Sequence, residues 1–120
     1  MKTYIVSTVT NSVFLKTQKK SIDRFFKNDY EFIVFNDSRH DDMSNSIRSE
    51  CKDLSIKCID VPQQIHSDRR EIFPETIEPH ANNINTRCAD STQIAHNYCI
   101  ENFKDCYFMI IDADMFFVKE

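Results

Sequence analysis

The sequence predicts an α/β domain: a doubly wound, mostly parallel sheet of about four strands in the order 3-2-1-4, with helices on both faces. Three observations carry that expectation. Short β-branched or aromatic runs alternate with stretches of helical period. The last run, Phe108 to Ile111, is apolar throughout, as in a strand covered on both faces. The strand-like runs end in polar or acidic residues, and open α/β sheets gather their ligands at carboxyl strand ends.

Tyr4–Val9 (YIVSTV) is short and β-branched, and reads as the first strand. Thr10, Asn11 and Ser12 follow as a turn of helix-capping residues. From Ser12 to about Lys27 the pattern is helical: Leu15, Ile22 and Phe26 share a stripe, flanked by Phe14, Gln18 and Phe25. Tyr30–Phe35 (YEFIVF) is a second strand that stops at Asn36, Asp37 and Ser38. After a charged turn, Arg39–Asp42, a second helix opens at Asp41, Asp42 or Ser44. Its apolar face is Met43, Ile47, Cys51 and Leu54.

Ser55–Val61 alternates apolar and polar residues, which suits a less buried edge strand, and Pro62 stops it. Gln63–Asn83 holds no stable period and is interrupted by Pro74 and Pro79, so it reads as a long loop. His66, Arg69, Arg70 and His80 in that loop read chiefly as solvated side chains. Asn85 then caps a helix presenting Cys88, Thr92, Ala95, Cys99 and Phe103 on one side, which leads into the last strand. Right-handed crossovers place the topological switch between the first and fourth strands. Thr8, Thr10, Asp37, Asp112 and Asp114 are therefore expected at carboxyl strand ends around one crevice.

Composition narrows the classes. Residues 1–120 are one domain at most, and 41% hydrophobic with 28% charged residues describes a globular chain rather than a disordered one. A net charge of −4 gives no electrostatic reason to expect nucleic acid or an anionic membrane. No apolar run approaches a membrane span or a signal peptide. The five cysteines (Cys51, Cys58, Cys88, Cys99 and Cys106) are odd in number and contain no CxxC pair. They read as reduced thiols of a cytoplasmic protein, with Cys51, Cys88 and Cys99 on apolar helix faces. Glycine is absent, which excludes GxGxxG and Walker-type phosphate loops. Phosphate binding would have to use side chains, helix ends or a metal.

Asp112 and Asp114 are the residues with the most chemistry in reach. In extended backbone, residues two apart point to the same side, so both carboxylates can converge on one hard cation such as Mg²⁺ or Mn²⁺. Such ions commonly accompany a phosphate-bearing substrate. The same spacing also fits a strand that ends in two solvated turn residues.

An apolar strand running into Asp112-Ala113-Asp114 and then Met115-Phe116 resembles the DXD motif of GT-A glycosyltransferases, in their nucleotide-sugar-binding half. The polar-ended first strand, the second strand ending in Asn36-Asp37-Ser38, and the helix opening Asn85-Thr86-Arg87 extend the resemblance over essentially the whole chain. The resemblance implies a divalent metal, Mn²⁺ or Mg²⁺, and a UDP- or GDP-sugar donor. It implies Asp114 as the direct metal ligand and Asp112 at the ribose or at the metal through water. It further implies Asp37 as acceptor from the base, Arg87 at the diphosphate, and hydrogen bonds from Thr8 and Thr10 to the nucleotide.

The chain stops six residues after Asp114, where that family continues into an acceptor-binding half. The resemblance therefore implies an incomplete GT-A domain in which no catalytic base is assigned and the acceptor is unknown. An incomplete sheet would expose apolar surface and favour association. Two other readings share the pattern. One is a truncated, non-catalytic nucleotide-binding remnant. The other is a haloacid-dehalogenase-like phosphotransferase, whose first Asp is the nucleophile. That family wants Thr or Val two residues after its second Asp, where this chain has Phe116.

Overall fold

Alternation along each strand decides which side of the sheet a residue meets, and the helices settle on whichever side is apolar. The protein is seen in a computed structural model that describes residues 1–72 and 84–118, and the side chains of these except at 69–72 and 84–86. The elements are β1 (Thr3–Val9), α1 (Leu15–Phe25), β2 (Tyr30–Asn36), α2 (Asp41–Asp53), β3 (Lys57–Asp60), α3 (Gln64–Ile72), α4 (Ile84–Asn102) and β4 (Tyr107–Asp112). The four strands form one all-parallel sheet in the order β3-β2-β1-β4.

Ile5 and Val9 of β1, with Phe32 and Val34 of β2, face Leu15 and Ile22 of α1 and Ile47 and Cys51 of α2. Val6, Ile33 and Phe35 point the other way, against Ala95 and Cys99 of α4. The fold is thus an α/β sheet wound on both faces, with β1 and β2 carrying the core. Burying each large aliphatic side chain there stabilises the fold by about 1.5–3 kcal/mol.

Without glycine, the chain uses other residues wherever the backbone turns left-handed. Helix α2 ends with Ser55 at φ 57°, and the Ser55 and Ile56 N–H groups donate to the Lys52 and Cys51 carbonyls. That pair of bonds is a Schellman cap, a position where Gly is usual because it has no Cβ to clash. Asp105 also takes a left-handed backbone, at φ 53°, between α4 and β4.

Several expectations need correction. The stretch from Gln63 is not wholly a loop: Gln64–Ile72 is a helix, while 73–83 lie outside the described residues. Its sequence is so polar that Ile65 is its one described hydrophobic residue packed on the core, which hides the period. Asn85 lies inside α4 and does not cap it. Ser12 bonds Ser46 and Met43 of α2, so α1 begins at Leu15 with no side-chain cap. The β3 strand is shorter than Ser55–Val61 because Ser55 belongs to the helix cap.

The fourth strand departs furthest from its sequence reading. Among the described residues it is an edge strand, hydrogen-bonded to β1 alone, and Ile111 is its one buried residue. Tyr107 is 64% exposed, and Phe108 and Met109 are each 38% exposed. The opposite edge, β3, is short, carries exposed Lys57 and is closely followed by Pro62, as protected edges commonly are. β4 has no charged residue before Asp112.

Cys88 is also exposed, whereas Cys51 and Cys99 are buried, and all five thiols are free. Near the start of α4, Cys88 lines two openings in the surface instead of packing into the core. The Cys51 and Cys58 thiols hydrogen-bond each other. That bond, together with burial, pushes Cys51 up, and the same bond holds Cys58 below its ordinary value.

Candidate functional site

In the parallel register Thr8 pairs with Asp112 on one side and with Phe35 on the other. The carboxyl ends of β1, β2 and β4 are therefore level, and the chain leaves β1 for α1, β2 for α2 and β4 for a turn. A cavity of about 660 Å³ opens there. Thr8, Thr10, Asp37, Arg87, Asp112 and Asp114 all line it, and so do Asn11, Phe14, Ser38, Arg39 and His40. The position is the topological switch point, where ligands of open α/β sheets bind.

The two acids are presented differently from the sequence expectation. Strand β4 ends at Asp112, and the Met115 N–H donates to the Asp112 carbonyl at 3.0 Å, closing a turn. Asp114 thus sits on a turn and not two residues along an extended strand, because the ladder to β1 stops at the Thr8–Asp112 pair. Both side chains are exposed on the cavity, and no ion pair forms with either carboxylate among the described residues.

Asp37 is the opposite case: it is 2% exposed and its carboxylate is heavily used. Oδ1 is 2.8 Å from His66 Nε2 and accepts from Gln63 Nε2 at 2.8 Å, and Oδ2 accepts from Ser91 Oγ at 2.5 Å. A carboxylate offers about four acceptor positions, so roughly one remains for a ligand. Gln63 passes the connection on, since its Oε1 accepts from Arg87 Nη2 at 3.1 Å. Asp37 therefore ties the end of β2 to α3 and α4, and Arg87 is held through Gln63.

His66 is buried rather than solvated, at 4% exposure, and its Nδ1 has no partner among the described residues. Arg69 and Arg70, as side chains, and His80 lie outside what is described. His66, Gln63 and Ser91 were not legible as a site. Gln63 and His66 stand three apart at a helix start that the sequence does not reveal, and Ser91 lies on a different helix with no spacing to link it to them. Ser38, Arg39 and His40 carried a usable signal, because a turn directly after a parallel strand must stand at the ligand end of the sheet.

Among the described residues, no group of three or more His, Cys, Asp or Glu side chains surrounds a common point. A closed protein cage is thus not what Asp112 and Asp114 form there. An open site is the other arrangement, in which one or two carboxylates share a hard cation with phosphate oxygens and water. The donor set fits that kind of site. Thr8 Oγ1, buried in the cavity wall without a partner among the described residues, adds a hydroxyl beside Asp112. No helix among the described residues is long and apolar enough to cross a membrane. No family model, curated protein or solved structure matches the chain.

Proposed function

We propose that the chain is the donor-binding part of a metal-dependent, GT-A-type glycosyltransferase, acting in the cytoplasm on a UDP- or GDP-sugar. The observation that carries this reading is the convergence of two carboxylates without an ion pair among the described residues, Asp112 and Asp114, with Arg87 and Thr8 in one cavity at the sheet's switch point. Asp114 and Asp112 would hold Mn²⁺ or Mg²⁺, which when bound neutralises charge on the diphosphate leaving group. Arg87 offers a planar fork that matches phosphate oxygens. Thr8 and Thr10 supply hydroxyls to the nucleotide, and Asp37 gives the base its one remaining acceptor position while fixing the wall around it. The sugar would pass to an acceptor hydroxyl that attacks the anomeric carbon.

Calorimetric titration of the chain with UDP, GDP and their sugars, with and without Mn²⁺, tests the reading. Binding that requires Mn²⁺ is the expected result, and the preferred base then narrows the donor. A folded chain that binds none of these would overturn it. Release of free sugar from the bound donor would distinguish a transferase from a non-catalytic nucleotide-binding remnant.

The proposal extends to self-association. Among the described residues no strand pairs with the outer edge of β4, where Tyr107, Phe108 and Met109 are exposed, an arrangement that invites another strand. Sedimentation velocity over a range of concentrations should show a concentration-dependent larger species. Replacing Met109 by Lys should suppress it, and a chain that stays monomeric throughout would count against association.

A further inference from the structure

The acidic turn sits at a sheet edge, and its backbone runs on without a strand neighbour among the described residues once the Thr8–Asp112 pair is passed. Something else must hold it, and helix α1 does. Gln18 is fully buried on the apolar stripe of α1. Its Nε2 donates to the Asp112 carbonyl at 2.8 Å and to the Met115 carbonyl at 3.0 Å, the two carbonyls that bracket Asp114. One turn further along, Ser21 Oγ accepts the Phe117 N–H at 3.2 Å and donates to the Gln18 carbonyl at 2.8 Å. Phe117 then packs edge-on against Phe26, with ring centroids 5.8 Å apart.

A buried primary amide is costly unless its polar atoms are matched. Gln18 uses both N–H donors on the turn, while its Oε1 has no partner among the described residues. A leucine would fill the same stripe without that cost, so packing alone does not account for a glutamine. The two carbonyl bonds do.

We propose that Gln18 is the positioning residue of the acidic turn: its amide, backed by Ser21, fixes the Asp112–Met115 backbone so that the Asp112 and Asp114 carboxylates are presented together to a divalent cation. The cation part rests on the donor-site reading above; the fixing of the turn does not. Outer-shell groups that orient metal ligands characteristically contribute about 10–100-fold to metal affinity. Gln18 stands in that relation to the two acids.

The test uses Gln18→Met, which keeps an unbranched side chain of similar size and removes both donors. Amide hydrogen exchange read along the chain is the first measurement. The amides of residues 113–117 should exchange about 10-fold faster or more in the variant, while β1 and β2 stay unchanged. The second is Mn²⁺ binding with UDP or GDP, followed by the electron paramagnetic resonance of free Mn²⁺ under conditions where the variant is folded. Affinity should fall about 10-fold or more. Unchanged exchange at 113–117 overturns the proposal whatever the metal does. Faster exchange with Mn²⁺ affinity within twofold of the parent overturns the link to the cation. If the parent itself binds no Mn²⁺, the donor-site reading and the cation link fall together, and faster exchange still upholds Gln18 as what fixes the turn. Should Gln18→Met fail to fold, Ser21→Ala, which removes the bonds of Ser21 to the Phe117 N–H and the Gln18 carbonyl and leaves the Gln18 amide bonds in place, gives the same readouts at smaller size.

Discussion

Asp114→Asn is expected to weaken Mn²⁺-dependent nucleotide binding by about 100-fold or more while leaving the folded state as stable as before. The affinity loss follows from replacing a charged oxygen ligand by a neutral one at a hard cation, and first ligands outweigh the 10–100-fold of the groups behind them. The unchanged stability follows from position. The Asp114 side chain is exposed on a turn, with no ion pair among the described residues. Substitutions of that kind usually stay within about 0.5 kcal/mol. Calorimetric titration beside a thermal melt reads both quantities. A folded Asp114→Asn chain that keeps Mn²⁺-dependent affinity within twofold would remove Asp114 from the metal site.

The contrast between Asp114 and Asp37 shows how much of the site the sequence made legible. Both were found by the same rule, that polar residues just after parallel strands stand at the ligand end of the sheet, and both line the cavity. The rule depends only on strand order, and strand order follows from the alternation of β-branched runs with helical periods. What a side chain does once it is there depends on neighbours drawn from other elements. Two segments meet Asp37, the start of α3 through Gln63 and His66 and helix α4 through Ser91, and neither marks these polar residues by an apolar period. Helix α3, which carries His66, was hidden for a related reason: a helix this polar, with Ile65 its one described hydrophobic residue on the core, has little periodicity to read.

Gln18 was visible at the border of the α1 stripe, but a stripe is read by its apolar members and a lone amide among them looks like a blemish. In β4 the limit is different. Apolar residues from Phe108 to Ile111 state a preference for cover, and the preference does not say that cover is present.

Asp37→Ala is expected to lower stability by about 3 kcal/mol or more, with a fall in Tm of roughly 10 °C, before any effect on ligands is considered. The groups around Asp37 lose their acceptor unequally. Gln63 Nε2 retains the Val61 carbonyl at 3.2 Å, and Ser91 Oγ retains the Arg87 carbonyl at 2.9 Å. His66 retains nothing among the described residues, because Nε2 faced Asp37 and Nδ1 is already without a partner. Most of the cost is therefore a buried imidazole left unmatched, together with the space the carboxylate filled.

Asp37→Asn should cost less, about 1–2 kcal/mol, since its oxygen can still face His66 and Gln63 while Ser91 turns to the Arg87 carbonyl. Urea denaturation of the two variants gives the order. Equal stability in Asp37→Ala and the parent would mean that the network does not brace the wall. The milder Asp37→Asn chain also separates bracing from direct recognition, because it folds with the wall nearly intact. A change in its preference between UDP and GDP would mark Asp37 as a contact to the base. An equal loss for both nucleotides would mark it as a residue acting through Gln63 on Arg87.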